Sequence, residues 1–149
     1  MGRNKYPEET VAKILDAALE LFCAQGYEGT SIQDIVDHLD GMTKGAIYHH
    51  FKSKEEVFNA AFDRAMAPVV ERRRATLGAG NMTGTQKLRR LYAPESVVPQ
   101  IELWARMHPA ADPVKSSRLL ALQYQGSFDE SADGYLLPVI EEGIADGSI

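Results

Sequence analysis

The segment from Thr30 to Phe51 reads Thr-Ser-Ile-Gln-Asp-Ile-Val-Asp-His-Leu-Asp-Gly-Met-Thr-Lys-Gly-Ala-Ile-Tyr-His-His-Phe, and its spacing decides the fold. Thr30 is an N-cap residue with Gln33 three positions on, the pattern of a capping box, so a helix is expected to begin at Thr30. Ile32, Ile35, Val36 and Leu39 then recur at helical spacing and form a narrow apolar stripe. Asp40 and Gly41 break the pattern. Thr43 supplies a second N-cap ahead of Lys44, Gly45, Ala46, Ile47 and Tyr48. The reading is two short helices joined by a tight turn, in which Ile47 and Phe51, four residues apart, face inward. Lys44, Gly45, Ala46, Tyr48, His49 and His50 are left for other faces.

Those outward residue types suit a helix-turn-helix that reads DNA. Lys44 suits a phosphate, Tyr48 can donate its hydroxyl to one, and the small Gly45 and Ala46 permit close approach to a groove wall. Immediately after Phe51, Lys52 and Lys54 flank Ser53, which with Glu56 forms another capping box. The next helix is therefore expected to start with its positive dipole end beside two lysines, a corner suited to holding a phosphate. A metal at His49 and His50 is not expected, because adjacent helical residues diverge and His38 has no Cys or His at ligand spacing. No metal or other cofactor is expected anywhere in the chain.

Thr-Ser-Ile-Gln-Asp-Ile, followed by Thr-Lys-Gly-Ala-Ile-Tyr-His-His-Phe-Lys-Ser-Lys-Glu-Glu-Val-Phe, resembles the N-terminal domain of TetR/AcrR-type transcriptional regulators. The likeness runs from about Thr10 to Phe62 and includes Ile14, Ala17, Ala18, Leu21, Phe22 and the Gly26-Tyr27 pair that closes the family's first helix. The turn Leu39-Asp40-Gly41-Met42 is one residue longer than the family's commonest form. The resemblance implies an all-α chain: a three-helix DNA-binding head at 1–52, then a helical body at 53–149 that binds a ligand and pairs with a second subunit. By matching position it implies DNA contacts from Thr43, Lys44, Ala46, Tyr48, His49 and Lys54, with Gln33 a further candidate, Gly45 permissive, and Lys52 joining the phosphate corner.

Composition limits the other classes. The 149 residues, 44% of them hydrophobic, can bury a core. No run of about 18 apolar residues and no hydrophobic leader is found, so the cytoplasm is the expected compartment and no membrane partner is expected. Cys23 alone makes no internal disulfide and is expected to be packed or partly packed. A nucleophile elbow, a P-loop, a dinucleotide glycine fingerprint and a His-Glu-x-x-His arrangement are all missing, so no enzyme is expected, and Glu141 and Glu142 read as a solvated face. Net charge runs the other way from most nucleic-acid binders. The chain carries a formal charge of −5, and from Met1 to Phe58 six basic residues face ten acids. DNA binding is therefore expected to depend on local placement of the lysines, and to be salt-sensitive.

Beyond the head, Val57, Phe58, Ala61, Phe62, Ala65 and Met66 continue a helix that Pro68 should bend or interrupt. Arg72, Arg73 and Arg74 read as its solvated end. Gly78, Gly80, Asn81 and Gly84 mark a loop, and Gln86–Tyr92, Gln100–Met107, Val114–Gln125 and Tyr135–Ile144 read as further helices punctuated by prolines and glycines. Leu88, Leu91, Tyr92, Ile101, Leu103, Trp104, Met107, Leu119, Leu120, Leu122, Tyr124 and Phe128 supply core material. The resemblance adds an effector pocket among Trp104, Met107, His108, Tyr124 and Phe128, for an unnamed small molecule. It also implies two further helices for the dimer interface, so the stretch ending at Ile149 is expected to lack the last part of the body. The functional expectation is a dimeric, ligand-responsive repressor on double-stranded operator DNA. The alternative is a small-molecule-binding or protein-interaction module that no longer binds DNA productively.

Overall fold

The computed structural model describes residues 7–107, 114, 117 and 132–149. Its elements are α1 (Pro7–Gly29), α2 (Ile32–His38), α3 (Lys44–His50), α4 (Lys54–Leu77), α5 (Gly84–Leu91), α6 (Pro94–Met107), a π-helical turn (Ala132–Leu136) and α7 (Leu137–Ala145). Among the described residues there is no strand, and the fold is all-α. No described helix is long and apolar enough to cross a membrane. Two compact units emerge: one takes in the described residues up to Ala65 and those of Ala105–Ser116, the other those of Met66–Trp104 and Ser117–Ile149.

In the first unit α1 packs on α2 and α2 on α3. The inward stripe consists of Ile14, Ala18 and Phe22 on α1, Ile32 and Ile35 on α2, Ile47 and Phe51 around α3, and Val57, Phe58 and Ala61 on α4, all buried. Phe22, Tyr27 and Phe58 close into an aromatic trio, with Phe22 and Phe58 edge-on at 5.0 Å between ring centres. Such pairing adds to the area they remove from water.

The start of α2 differs from the expectation. Ser31, not Thr30, is the N-cap. Its hydroxyl accepts from the Asp34 N–H at 3.1 Å, and the Asp34 carboxylate accepts from the Ser31 N–H at 2.6 Å. Thr30 is buried, and its hydroxyl donates to the Gly26 carbonyl at 2.7 Å. The physical reason lies at Gly26, whose φ of 83° breaks α1 and leaves a carbonyl that Thr30 satisfies. Gln33 is thereby released from capping and donates to Asp37.

In the second unit α4 runs through Pro68 without interruption to Leu77. Proline removes one backbone donor, and the turns on either side suffice to carry the helix. Arg72 and Arg73 are not a solvated end: Arg72 donates to the Glu95 carbonyl, and the Arg73 guanidinium lies 4.4 Å from the centre of the Tyr135 ring. Gly84, expected in a loop, is the first residue of α5, behind a capping box made by Thr83 and Gln86. α6 begins at Pro94, ahead of the expected Gln100, and holds Pro99 in its interior. Proline at a first helical position loses no hydrogen bond. The expected helix Tyr135–Ile144 is met by the π-helical turn and α7. The expected helix Val114–Gln125 lies, apart from Val114 and Ser117, outside the described residues. Leu91 and Leu103 are buried as expected, whereas Tyr92 and Ile101 are exposed.

α5 and α7 cross with their backbones touching. A Cβ on Gly84 would fall on the Gly143 backbone and within 2.8 Å of the Val139 carbonyl oxygen. Beside this crossing the buried Lys87 ammonium reaches both carboxylate oxygens of Glu142 at 2.7 and 2.8 Å, so Glu142 is not part of a merely solvated face. Asp146 accepts from the Gly84 N–H at 2.8 Å and Ser148 from the Thr85 N–H at 3.0 Å, so residues after α7 satisfy donors at the open end of α5.

Candidate nucleic-acid interface

α2, the turn Leu39–Met42 and α3 form a compact helix-turn-helix whose geometry follows from three local devices. Leu39 ends α2 in an extended conformation, and its carbonyl accepts the Met42 N–H at 3.2 Å. Gly41 sits at φ 73°, a left-handed conformation that glycine adopts without steric cost. Thr43 then caps α3, its hydroxyl accepting from the Ala46 N–H at 3.1 Å, as the sequence predicts. Ile47 is fully buried and Phe51 nearly so, which fixes the rotation of α3 about its own axis.

That rotation turns Lys44, Gly45, Tyr48 and His49 outward, with Ala46 and His50 half-buried. Tyr48 is 52% exposed. Gly45 faces open space: the nearest atom to a Cβ at that position would be the Thr43 hydroxyl oxygen, at 3.9 Å. Thr43 and Lys52 are exposed beside this surface. Gln33 is also exposed, with its amide bound to Asp37 at 2.6 Å.

Lys54 stands apart from the other expected residues. Its ammonium donates to the Tyr27 carbonyl at 2.7 Å and lies 4.1 Å from the centre of the Tyr27 ring. Burial lowers its pKa from the usual lysine value, with Glu28 and Asp34 acting in the opposite direction. The Ser53 cap forms, accepting from the Glu56 N–H at 3.1 Å, but the Glu56 carboxylate returns to the Lys52 N–H at 2.6 Å instead of the Ser53 N–H.

Several of the head's acids are engaged within it. Asp16 meets Arg64 at 3.0 Å, Glu20 lies 3.4 Å from His38, and Asp34, Asp37 and Glu56 are used in hydrogen bonds to the local chain. These pairs are exposed and each contributes little to stability. Burial raises the Cys23 thiol's pKa, with Arg106 opposing, consistent with a partly packed cysteine. Among the described residues no group of His, Cys, Asp and Glu is arranged to hold a metal ion.

His108, Tyr124 and Phe128 and the side chains of Trp104 and Met107 lie outside the described residues. A described cleft runs between α4, α5, α6 and the π-helical turn, lined by Val69, Thr76, Leu91, Tyr92 and Tyr135. Its volume of about 90 Å³ is well below the 300 Å³ or more of an ordinary small-molecule site.

Residues 14–61 match the family described as bacterial regulatory proteins of the tetR family. Residues 14–61 thus form a domain similar to those of the TetR family. Over 62 residues the chain is 42% identical to the HTH-type transcriptional regulator SrpR of Pseudomonas putida, a stretch covering 42% of this chain and 29% of SrpR. Over 51 residues it is 35% identical to IcaR of Staphylococcus epidermidis, a negative transcriptional regulator of the biofilm operon icaADBC, covering 34% of this chain and 27% of IcaR. The matched stretch thus spans under a third of each of these two relatives. The TetR-family regulator PfmR of Thermus thermophilus superposes with a TM-score of 0.56 at 27% identity, covering 91% of this chain and 72% of PfmR. A crystal structure from Pseudomonas aeruginosa PAO1 shares the fold with a TM-score of 0.72 at 20% identity, over 95% of this chain and 68% of the other.

Proposed function

We propose that this chain is a TetR-family DNA-binding transcriptional regulator that acts as a repressor on operator DNA and is released by a small-molecule effector. The observation that carries the reading is α3, a helix locked by buried Ile47 and Phe51 that leaves Lys44, Gly45, Tyr48 and His49 turned to solvent. In this reading α3 enters the major groove. Lys44, Tyr48, Thr43, Lys52 and Lys54 hold phosphates, Ala46 and His49 meet base edges, Gly45 permits the approach, and Gln33 reaches in from α2. Residues 1–52 read the DNA and 53–149 form the regulatory body. The negative regulation named for the related IcaR supports a repressor.

Reading two half-sites one helical turn apart takes two copies, so a homodimer is the working form. Release by an effector is a population shift: the effector must bind the arrangement that cannot span both half-sites more tightly than the one that can. The expected location is the cytoplasm, and no catalysis is assigned.

The test is fluorescence anisotropy on duplexes from the DNA upstream of the chain's own coding sequence, at low and moderate salt, with light scattering on the same samples. A dimer that binds more weakly as salt rises is expected. Tyr48→Ala should weaken binding on every duplex by a similar factor, whereas His49→Ala should change which duplex is preferred. A monomer indifferent to DNA at low salt would sink the reading and favour a module that binds small molecules or protein alone.

A further inference from the structure

The outer face of α5 carries a chemistry that the packing of the second unit does not use. Gly84, Lys87 and Leu91 are the buried face of this helix. Gln86, Arg89 and Arg90, spaced i, i+3 and i+4, share another face and are exposed. To the same side α4 presents Arg72, Ala75, Thr76 and Ala79 at helical spacing, and the two stripes line one open groove with the start of α6. The groove's volume of about 930 Å³ falls in the range of small-molecule sites, which the 90 Å³ of the inner cleft does not.

An exposed arginine is ordinarily a solvated one, and these differ in their company. The chain has 21 acids against 16 lysines and arginines, and other basic residues find partners: Arg64 pairs with Asp16, Arg74 with Glu71 and Lys87 with Glu142. No described ion pair takes up Arg72, Arg89 or Arg90. Arg72 donates to the Glu95 carbonyl, which holds the guanidinium without neutralising it and leaves it further donors. Gln86 uses its amide oxygen to accept the Thr83 N–H at 2.9 Å, so its other end is an NH2 donor. The Thr76 and Ser96 hydroxyls donate to the Arg72 and Arg90 carbonyls at 3.0 and 2.8 Å. Glu95 is the one carboxylate in the lining, so three guanidinium groups leave two positive charges uncompensated. A cleft lined by one sign of charge concentrates counter-ions. Ala75, Ala79 and Met82 add a small apolar surface to the same groove.

We propose that this groove binds a phosphate monoester carried on an apolar body. Such a group brings roughly 1.5 to 2 negative charges at neutral pH, and its oxygens match the paired N–H groups of guanidinium. The apolar part lies along Ala75, Ala79 and Met82. The site does not depend on whether α3 reads DNA.

The probe is n-octyl phosphate, titrated calorimetrically into the full chain at low salt, with octanol, octanoate and inorganic phosphate as comparisons. Saturable binding of one molecule per chain is expected, weakening as salt rises. Arg89→Gln, Arg90→Gln and Arg72→Met should each weaken it about tenfold, the size of one charge-assisted hydrogen bond. Arg74→Gln, which removes the arginine already paired with Glu71, should leave the affinity unchanged. Inorganic phosphate and octanoate should bind at least about tenfold more weakly, one lacking the apolar body and the other the second charge. Circular dichroism confirms that each variant is folded, and if Arg72→Met is not, the two α5 variants decide. No binding of octyl phosphate, octanol or octanoate binding as tightly, or α5 variants that change nothing would each overturn the proposal. Displacement of the probe by a DNA duplex of unrelated sequence would overturn it too, by assigning the arginines to a nucleic-acid backbone.

Discussion

Two glycines, one in each unit, sit in the first turn of a helix and are there for opposite reasons. Gly45 in α3 has open space where a side chain would stand, with nothing nearer than the Thr43 hydroxyl at 3.9 Å. Gly84 in α5 has the Gly143 backbone there instead. The body's glycine is required by the protein's own packing, and the head's is not. A helix position that forgoes the better helix former without any internal need has room for something that approaches from outside. The same contrast runs through the two units. In the head, the helix starts are built from residues three apart, Ser31 with Asp34 and Ser53 with Glu56. In the body, the start of α5 has its own Thr83 and Gln86 box and adds donors satisfied across the chain by Asp146 and Ser148, and Lys87 reaches Glu142.

The largest effect is expected where the body's packing allows no adjustment. Gly84→Val puts three carbons onto a neighbouring backbone, which can yield only by parting α5 from α7, at about 3 kcal/mol. Gly45→Ala should do the reverse in the head and stabilise it by up to about 1 kcal/mol through helix propensity, while weakening DNA binding if α3 lies close to the groove wall. Urea unfolding followed by circular dichroism measures both. Equal destabilisation by the two variants would break the contrast between the units.

The same difference governs what could be read from the sequence. The paired helices, the Thr43 cap, the turn at Gly41 and the inward Ile47 and Phe51 were legible because each is a relation between residues a few positions apart. The displacement of the α2 cap from Thr30 to Ser31 was not, because Thr30 is taken by the Gly26 carbonyl of another helix. The bond from the Lys54 ammonium to the Tyr27 carbonyl, 27 positions earlier, was not legible either, because the two residues are neighbours only in the fold. In the body, prolines and glycines were read as breaks. Pro68 and Pro99 instead lie within helices, Pro94 opens one, and Gly84 begins another because it has to meet Gly143. Periodicity reports which face a helix buries and is silent on which backbone comes closest.

The next effect is expected at the ion pair beside that crossing. Lys87 has a side chain 5% exposed, whereas that of Glu142 is 43% exposed. Removing Glu142 leaves a charge inside the protein, while removing Lys87 leaves one that water can still reach. Glu142→Leu should therefore cost roughly 3 kcal/mol, and Lys87→Met, which keeps the buried stem, nearer 1 kcal/mol. The order is the test, again by urea unfolding. If Lys87→Met costs as much as Glu142→Leu, the pair matters through its attraction and not through the burial of the lysine.

The smallest effect appears only in acid and probes both units with one chemistry. Asp34 has its pKa lowered below the ordinary 3.8, first by the Ser31 N–H and then by the Ser31 hydroxyl. Asp146 is lowered in the same direction, first by Ser148 and then by the Gly84 N–H. A carboxylate whose folded pKa is depressed stabilises the fold above its unfolded value, and that contribution is lost as pH falls through the folded one. Neither aspartate should make stability vary near neutral pH, and both should make it decline from about pH 4 downward. The responses should differ in where the loss is felt. Asp34→Asn should remove part of the acid decline and, by hydrogen exchange, loosen only the start of α2, because its partner is three residues away. Asp146→Asn should loosen the start of α5 together with the end of α7, since one carboxylate serves both. Confinement of the Asp146→Asn response to residues after Glu142 would show that α5 holds its own start through the Thr83 cap, and would remove the long-range half of the contrast.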